Sequence, residues 1–221
     1  MAYGIAIRVW GDYACFTRPE MKVERVSYDM ITPAAARGII EAVYWKPSIR
    51  WVIDRIHVLN EIKFTNVRRN EVSEKISTRN VLQTMNGVSN KLLFLSSNKS
   101  RQQRAAMVLR DVDYIIEAHF ELIPEQTGPD DTVEKHYNMA LRRLRKGQYF
   151  QAPCLGTREF AANIQLLENS AMPASPLVGE RNLGWMLYDM DYSDPENIRP
   201  HFFKAKLVNG ILDLAQVEMV G

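Results

Sequence analysis

Residues 27–53, SYDMITPAAARGIIEAVYWKPSIRWVI, decide how the rest of the chain is read. Thr32-Pro33 has the form of a helix start, with threonine as N-cap and proline at the first helical position, where its missing N–H costs nothing. Ala36, Ile39, Ile40 and Val43 recur at helical spacing and give one apolar stripe. Ala35, Gly38 and Ala42 are small, and Gly38 costs about 1 kcal/mol relative to alanine inside a helix. Close packing is the expected reason for it. Pro47 disfavours helical geometry in Lys46, so the helix ends there, and Ile49–Leu59 reads as a strand. Tyr44, Trp45 and Lys46 therefore fall at a tight corner. For Trp45 a core plug and a site role both stay open. Tyr44 and Lys46 carry polar tips and are the site candidates.

Working outward, Tyr3–Trp10 alternates, with Ile5, Ile7 and Val9 on one face and Ala6, Arg8 and Trp10 on the other, the pattern of a half-buried strand. Residues 11–27 read as a loop and Glu61–Arg69 as a strand, with Arg68 and Arg69 at its exit. Residues 70–110 are polar, interrupted by Asn86-Gly87, and dotted with Lys91, Lys99, Arg101, Arg104 and Arg110. They describe a flexible basic insertion, either a solvated loop or one that grips RNA. Residues 112–123 alternate cleanly and put His119 on a polar face between Glu117 and Glu121. A second helix, 130–146, carries Val133, Tyr137, Ala140, Leu141 and Leu144 inward and stops at Gly147. Arg142, Arg143, Arg145 and Lys146 crowd its last turn, more than a helix dipole needs. The segment QYFQAPCLGTREF follows as a loop, with Arg158 on the strand after it. Strands at 161–167 and 185–192 and a hairpin, 202–208 and 211–215 about Asn209-Gly210, complete the chain. Residues 172–184 read as a linker.

This order predicts an α+β fold: a ferredoxin-like, RRM-like βαββαβ domain over residues 1–160 with the insertion at 70–110, then a smaller antiparallel β region over 161–221. In such a fold the helices cover one sheet face, and RNA-recognition domains use the other.

Composition adds bounds. With 46% hydrophobic and 24% charged residues, the 221-residue chain has the make-up of a soluble globular protein. No stretch has the apolar length of a membrane span, and the N-terminus lacks a signal peptide's layout. Cys15 and Cys154 form no metal spacing, so free thiols in a reducing cytoplasm are expected. The net charge is only +2. The acids, however, gather in the C-terminal part (Asp189, Asp191, Asp194, Glu196, Asp213, Glu218) and leave the first two-thirds more positive. Nucleotide-binding loops, GxSxG, HExxH and clustered Cys/His ligands are all missing. The paired carboxylates Asp130-Asp131 stand at a helix start, where acids belong. His119, His57, Tyr44 and scattered bases remain as candidates for chemistry.

The runs GDYACFTRPE, SYDMITPAAARGIIEAVYWKP, DVDYIIEAHFEL, EKHYNMALRRLRKGQ, PCLGTREF and LGWMLYDMDY together resemble the subtype I-C CRISPR-associated endoribonucleases, the D variant of the fifth Cas family in the RAMP group. The resemblance spans most of the chain and is weakest over 70–110 and 172–181. It implies a metal-independent endoribonuclease without cofactor that cuts the CRISPR precursor within each repeat, at the base of a hairpin. The enzyme then stays on the 5′ handle of the mature crRNA beside other Cas subunits of a type I-C interference complex, which engages double-stranded DNA. A tyrosine, a lysine and a histidine form that family's site. Tyr44 and His119 match two of these. The family's lysine stands just before the histidine, where this chain has Glu117 and Ala118; Lys46 or a base of the insertion is the expected substitute.

The implied chemistry needs one group to take the 2′-OH proton, one to give a proton to the departing 5′-oxygen, and a cation for the phosphorane. His119 is assigned the general acid, with Glu117 and Glu121 favouring its protonated form, and Tyr44 orients the 2′-OH or the phosphate. RNA contacts are assigned to Arg68, Arg69, Lys99, Arg101, Arg104, Arg142, Arg143, Arg145, Lys146 and Arg158. Two alternatives are a non-catalytic scaffold that holds the crRNA handle and a general binder of double-stranded nucleic acid.

Overall fold

Twenty-two consecutive residues, Arg101–Leu122, form one strand, β5, on which the sheet is assembled. The computed structural model describes residues 3–21, 23–88, 93, 100–168, 172–194, 196–215 and 217–221. The distal half of β5 lies between β1 (Ile5–Ala14) and β3 (Ile49–Val58), antiparallel to both, with Ile7 and Ile56 flanking Ile116. The proximal half pairs with β4 (Lys63–Val72), and the two-residue β2 (Arg25–Val26) also joins it. Asp111, at φ 53°, joins the halves, a conformation that aspartate tolerates better than most residues. Beyond β1 stands β6 (Asn163–Leu166). Beyond β3 come the short β9 (Ile211–Asp213), β8 (Arg199–Val208) and β7 (Glu180–Asp191), giving the order β6-β1-β5-β3-β9-β8-β7.

Helix α1 (Pro33–Val43) starts as its sequence predicts: Thr32 Oγ1 accepts the Ala35 N–H at 3.3 Å. It buries Ala36, Ile39, Ile40 and Val43 and ends at Tyr44, whose backbone is extended. Helix α3 (Val133–Arg145) is capped by Thr132 and buries His136, Ala140, Leu141 and Leu144. Both helices contribute to one core with Ile5, Ile7 and Val9 of β1, Trp51 of β3 and Phe120 of β5. Arg37 of α1 also forms a bidentate ion pair with Asp189 of β7, so the C-terminal strands are tied to the helix layer.

Residues 70–110 differ most from expectation. Of that insertion, 70–72 and 101–110 are paired strand, making β4 and β5 a continuous ribbon, and Thr78–Met85 form a short helix, α2, with no buried residue. The ribbon's root packs Ala106 and Val108 on Cys15 with Val67 and Phe160. Further out both faces are partly in water, so the sequence there shows no apolar alternation to read. β1 runs four residues past Trp10 and β7 begins at Glu180, inside the stretch read as a linker. Asn209 and Gly210, at φ 50° and 75°, make the expected hairpin turn.

Candidate active site

At the corner where α1 meets β3, Tyr44 is turned inward. Its side chain is only 2% exposed, whereas Trp45 is 53% exposed and Lys46 is exposed. The tyrosine, not the tryptophan, is therefore the buried aromatic of the corner. Trp51 Nε1–H donates to the Tyr44 carbonyl at 2.9 Å and stacks edge-on against Phe120, with ring centroids 5.3 Å apart.

The Tyr44 hydroxyl meets His136 of α3, at 2.8 Å from Nδ1. On the other side of that imidazole, Nε2 lies 3.3 Å from Asp131 Oδ1 and 3.4 Å from Ser48 Oγ. Asp131 accepts the Gly128 N–H, which holds its carboxyl below the usual range, with Lys135 adding to the effect. An ionised carboxylate only accepts hydrogen bonds, so Nε2 of His136 carries the ring proton and Nδ1 accepts the Tyr44 O–H. The result is one directed chain, Tyr44 to His136 to Asp131. Burial pushes His136 below its ordinary value, only partly opposed by Asp131; Lys135 and Lys46 push the same way as burial. Burial likewise raises the Tyr44 hydroxyl. At neutral pH the pair is thus a neutral imidazole and a protonated phenol. Two cations stand beside it: exposed Lys135, which reaches Asp131 and the Asp130 carbonyl, and half-buried Arg143, whose guanidinium lies 5.3 Å from the centre of the Tyr44 ring.

His119 is elsewhere. Its neighbour Phe120 faces the helix layer and packs against His136, with centroids 6.2 Å apart, so His119 points from the opposite face of the sheet. There its Nδ1 lies 2.9 Å from Asp54 Oδ1. The structure does not bring Tyr44 and His119 together. Nor do Glu117 and Glu121 attend His119: Glu117 binds His57 at 2.6 Å and Glu121 binds Arg50 at 2.8 Å. The register explains this: Arg50 stands directly opposite Glu121, and Glu117 stands opposite Arg55, two residues from His57. Arg8–Asp113 and Arg55–Asp213 complete the pattern. Three arginines and two histidines thus meet five carboxylates on the face expected to attract RNA.

Sequence reading missed His136, although two signals mark it. It falls at helical spacing between Val133 and Ala140, and it alone of the four histidines directly follows a lysine. Reading Tyr137 into the buried stripe hid the first signal; Tyr137 only packs on the periphery of the core.

The predicted RNA contacts divide. Arg143 donates to the Val43 carbonyl at 2.8 Å, and Arg145 holds Glu168 through two nitrogens. Arg69 is paired with Glu159 at 2.6 Å, and Arg104 faces Glu71 at 3.8 Å. Arg68 and Arg101 are exposed on the ribbon, and Arg158 is exposed in a turn, not on a strand. Lys99 lies outside the described residues. Arg142 and Lys146 are exposed, and no ion pair holds them among the described residues. Replacing both with glutamine is therefore expected to lower the slope of log affinity against log salt by about 1.4–1.8 for an RNA that uses them. Titrations at several ionic strengths check this, and an unchanged slope returns both residues to the role of a helix end.

The family model described as CRISPR-associated protein (Cas_Cas5) matches residues 4–214. A CRISPR pre-crRNA endoribonuclease Cas5d of Mannheimia succiniciproducens is 52% identical over 218 residues, covering 97% of this chain and 96% of its own. A protein of the same name from Thermus thermophilus is 41% identical over 192 residues, covering 86% and 75%. Among solved structures, a crystal structure of a CRISPR-associated protein superposes with a TM-score of 0.69 at 24% identity, covering 96% of this chain and 92% of that one. A chain of a CRISPR RNA-guided surveillance complex gives 0.53 at 13% identity, covering 98% and 89%. Matched almost from end to end, the chain belongs to the Cas5d family of subtype I-C CRISPR-associated proteins.

Proposed function

We propose that this protein cleaves CRISPR precursor RNA within the repeat hairpin, without a metal, and remains on the 5′ handle as a subunit of an interference complex. Relatives at 52% and 41% identity bear the name pre-crRNA endoribonuclease, which supports the reaction class. The observation that carries the chemistry is the Tyr44 hydroxyl on His136 Nδ1, with Lys135 held on Asp131 at the other side of that imidazole. This supplies the tyrosine, the histidine and a lysine directly before that histidine, which the chain lacks at position 119. We accordingly place the acid–base histidine at 136 and leave His119 hydrogen-bonded to Asp54 on the opposite sheet face.

In this reading the neutral His136 draws on the Tyr44 proton, so the phenol oxygen can accept the proton of the attacking 2′-OH. Lys135 neutralises the phosphorane and gives a proton to the departing 5′-oxygen, while His136 keeps the proton relayed through Tyr44 until exchange with solvent restores both groups. Arg143, lying over the Tyr44 ring, must swing toward a phosphate to open the hydroxyl, so RNA binding itself uncovers the site. The products are a 2′,3′-cyclic phosphate and a 5′-hydroxyl. The strand order β6-β1-β5-β3, with neighbours antiparallel and α1 and α3 packed into one core, supports a ferredoxin-like reading of this part of the sheet.

The test is incubation with the repeat hairpin in EDTA, followed by end-group analysis. Specific cleavage is expected, and a single 2′-deoxy nucleotide 5′ of the cut should abolish it. Cleavage of the deoxy substrate, or cleavage only with added metal, overturns the mechanism. A second reading, a handle-binding scaffold, is favoured by the near-complete burial of Tyr44 and His136, at 2% and 1%. It predicts tight binding of the hairpin with no cut. Sequence-blind binding with a steep salt slope would instead mark a general nucleic-acid binder.

A further inference from the structure

Beside the candidate site runs a groove of about 660 Å³ between the outer face of α1 and the loop at 147–156, within the size range of small-ligand pockets. Its floor is Ala35, Gly38 and Ala42. A Cβ built on Gly38 meets nothing within 4 Å, so close packing does not explain this glycine. Helix α1 gives up stability at a position where the only gain is empty space above its backbone. The wall opposite is fixed, not floppy: the N–H groups of Phe150 and Gln151 both donate to the Ala42 carbonyl, at 2.8 and 3.2 Å. Gly156 lets the loop close on the residue that follows β1, since a Cβ there would lie 2.1 Å from the Cys15 carbonyl oxygen, and its φ is +86°.

Two aromatic side chains border this slot with their faces in water. Phe150 is 88% exposed and Trp45 is 53% exposed. Lys46 and Arg143 line the same groove. The lining acid, Glu41, lies 3.4 Å from Arg37, whose charge offsets its own. Exposed aromatic faces interleaved with cations are the composition of a platform for unpaired bases, where stacking is combined with phosphate attraction. A hydrophobic peptide would not call for the cations, and a bare phosphate would not call for the rings.

We infer that this groove takes one unpaired nucleobase of the RNA next to the cleaved linkage, stacked against Trp45 or Phe150 over Gly38, with Lys46 and Arg143 on its flanking phosphates. The inference rests on the RNA-cleaving reading above. Arg143 joins the two places, since it lines the groove and covers Tyr44. A base seated in the groove would draw Arg143 off the phenol, so recognition of the flank and opening of the site become one event.

The experiment uses the full chain and a repeat RNA made uncleavable by one 2′-deoxy nucleotide, with the fluorescent base 2-aminopurine walked through the unpaired flank. At one position wild type should quench the probe on binding. Gly38→Leu fills the slot with a good helix former that meets open space, so its melting temperature should equal or exceed that of wild type. It should lose the quench and bind the RNA about 5- to 150-fold more weakly, the range for one stacked base. Trp45→Ala with Phe150→Ala should do the same. No quench at any position, or a folded Gly38→Leu with unchanged affinity and quench, overturns the inference. The two readings fail separately: quenching by a protein that does not cut leaves the groove standing and removes the nuclease, and cutting with an unchanged Gly38→Leu does the reverse.

Discussion

His136→Ala is expected to lower single-turnover cleavage of the repeat by about 10²–10⁴-fold, the range for one positioned proton-transfer group. The same change orphans the buried Tyr44 hydroxyl, at a cost of about 1–3 kcal/mol. Part of any loss could then come from a loosened fold, so His136→Gln serves as the second variant. Glutamine can still accept from Tyr44 but cannot carry a proton through, and its melting temperature should stay near that of wild type while cleavage falls as far as in alanine. His119→Ala is the contrast: it breaks a part-buried hydrogen bond with Asp54 on the opposite sheet face and should leave cleavage intact. Loss of cleavage in His119→Ala with retention in His136→Gln reverses the assignment.

The pH dependence follows from the same burial. The folded protein holds His136 below its ordinary imidazole value of about 6.5. The unfolded chain therefore binds that proton more readily. The stability tied to neutral His136 is complete above pH 6.5 and is lost as pH falls from there toward the lowered folded value. Melting temperature should drop over that interval in wild type and drop less in His136→Gln. The cleavage rate should stay level from pH 8 to about 6.5, because the base is already neutral across this range.

Trp51→Ala should lower unfolding stability by about 3–5 kcal/mol, the cost of emptying a large core aromatic, out of the 5–15 kcal/mol typical of a folded domain. Trp51 is 1% exposed, meets Phe120 edge to face, and donates to the Tyr44 carbonyl. The change therefore removes both packing and the anchor of the corner that presents Tyr44. Trp51→Phe keeps most of the ring and loses the N–H donor, so it should cost less and separate the two contributions. Urea midpoints at unchanged slope measure both. A Trp51→Ala midpoint close to that of wild type would show that this core refills the space, and the packing account would fail.

Where local rules decide the outcome, the sequence was legible. Thr32, Pro33 and Pro47 bracket α1 because capping and proline geometry need no distant partner. The alternation of 112–122 is readable because one face of that half of β5 meets the core. The ribbon of β4 and β5 was not legible, since strands that leave the core need no apolar face. The site was half legible. Tyr44 stood out by its place in the corner, but its partner comes from a helix about 90 residues further on. Which histidine meets it is a matter of sheet faces. His119 stands one residue from Phe120 and so takes the wrong side, while His136 passes for one more core position of α3.

The central place of β5 also sets an order of events during synthesis. Ile5 pairs with Ala118, so β1 has no partner on this strand until more than half of the chain has been made. At ordinary translation rates that wait is on the order of 10 s, long against the microseconds in which a hairpin closes. Throughout it, Ile5, Ile7 and Val9 stay exposed to passing chains, and so does α1, with no finished sheet to cover. Final assembly waits on β5, and the nascent chain until then is a client for chaperones that shield an extended apolar strand.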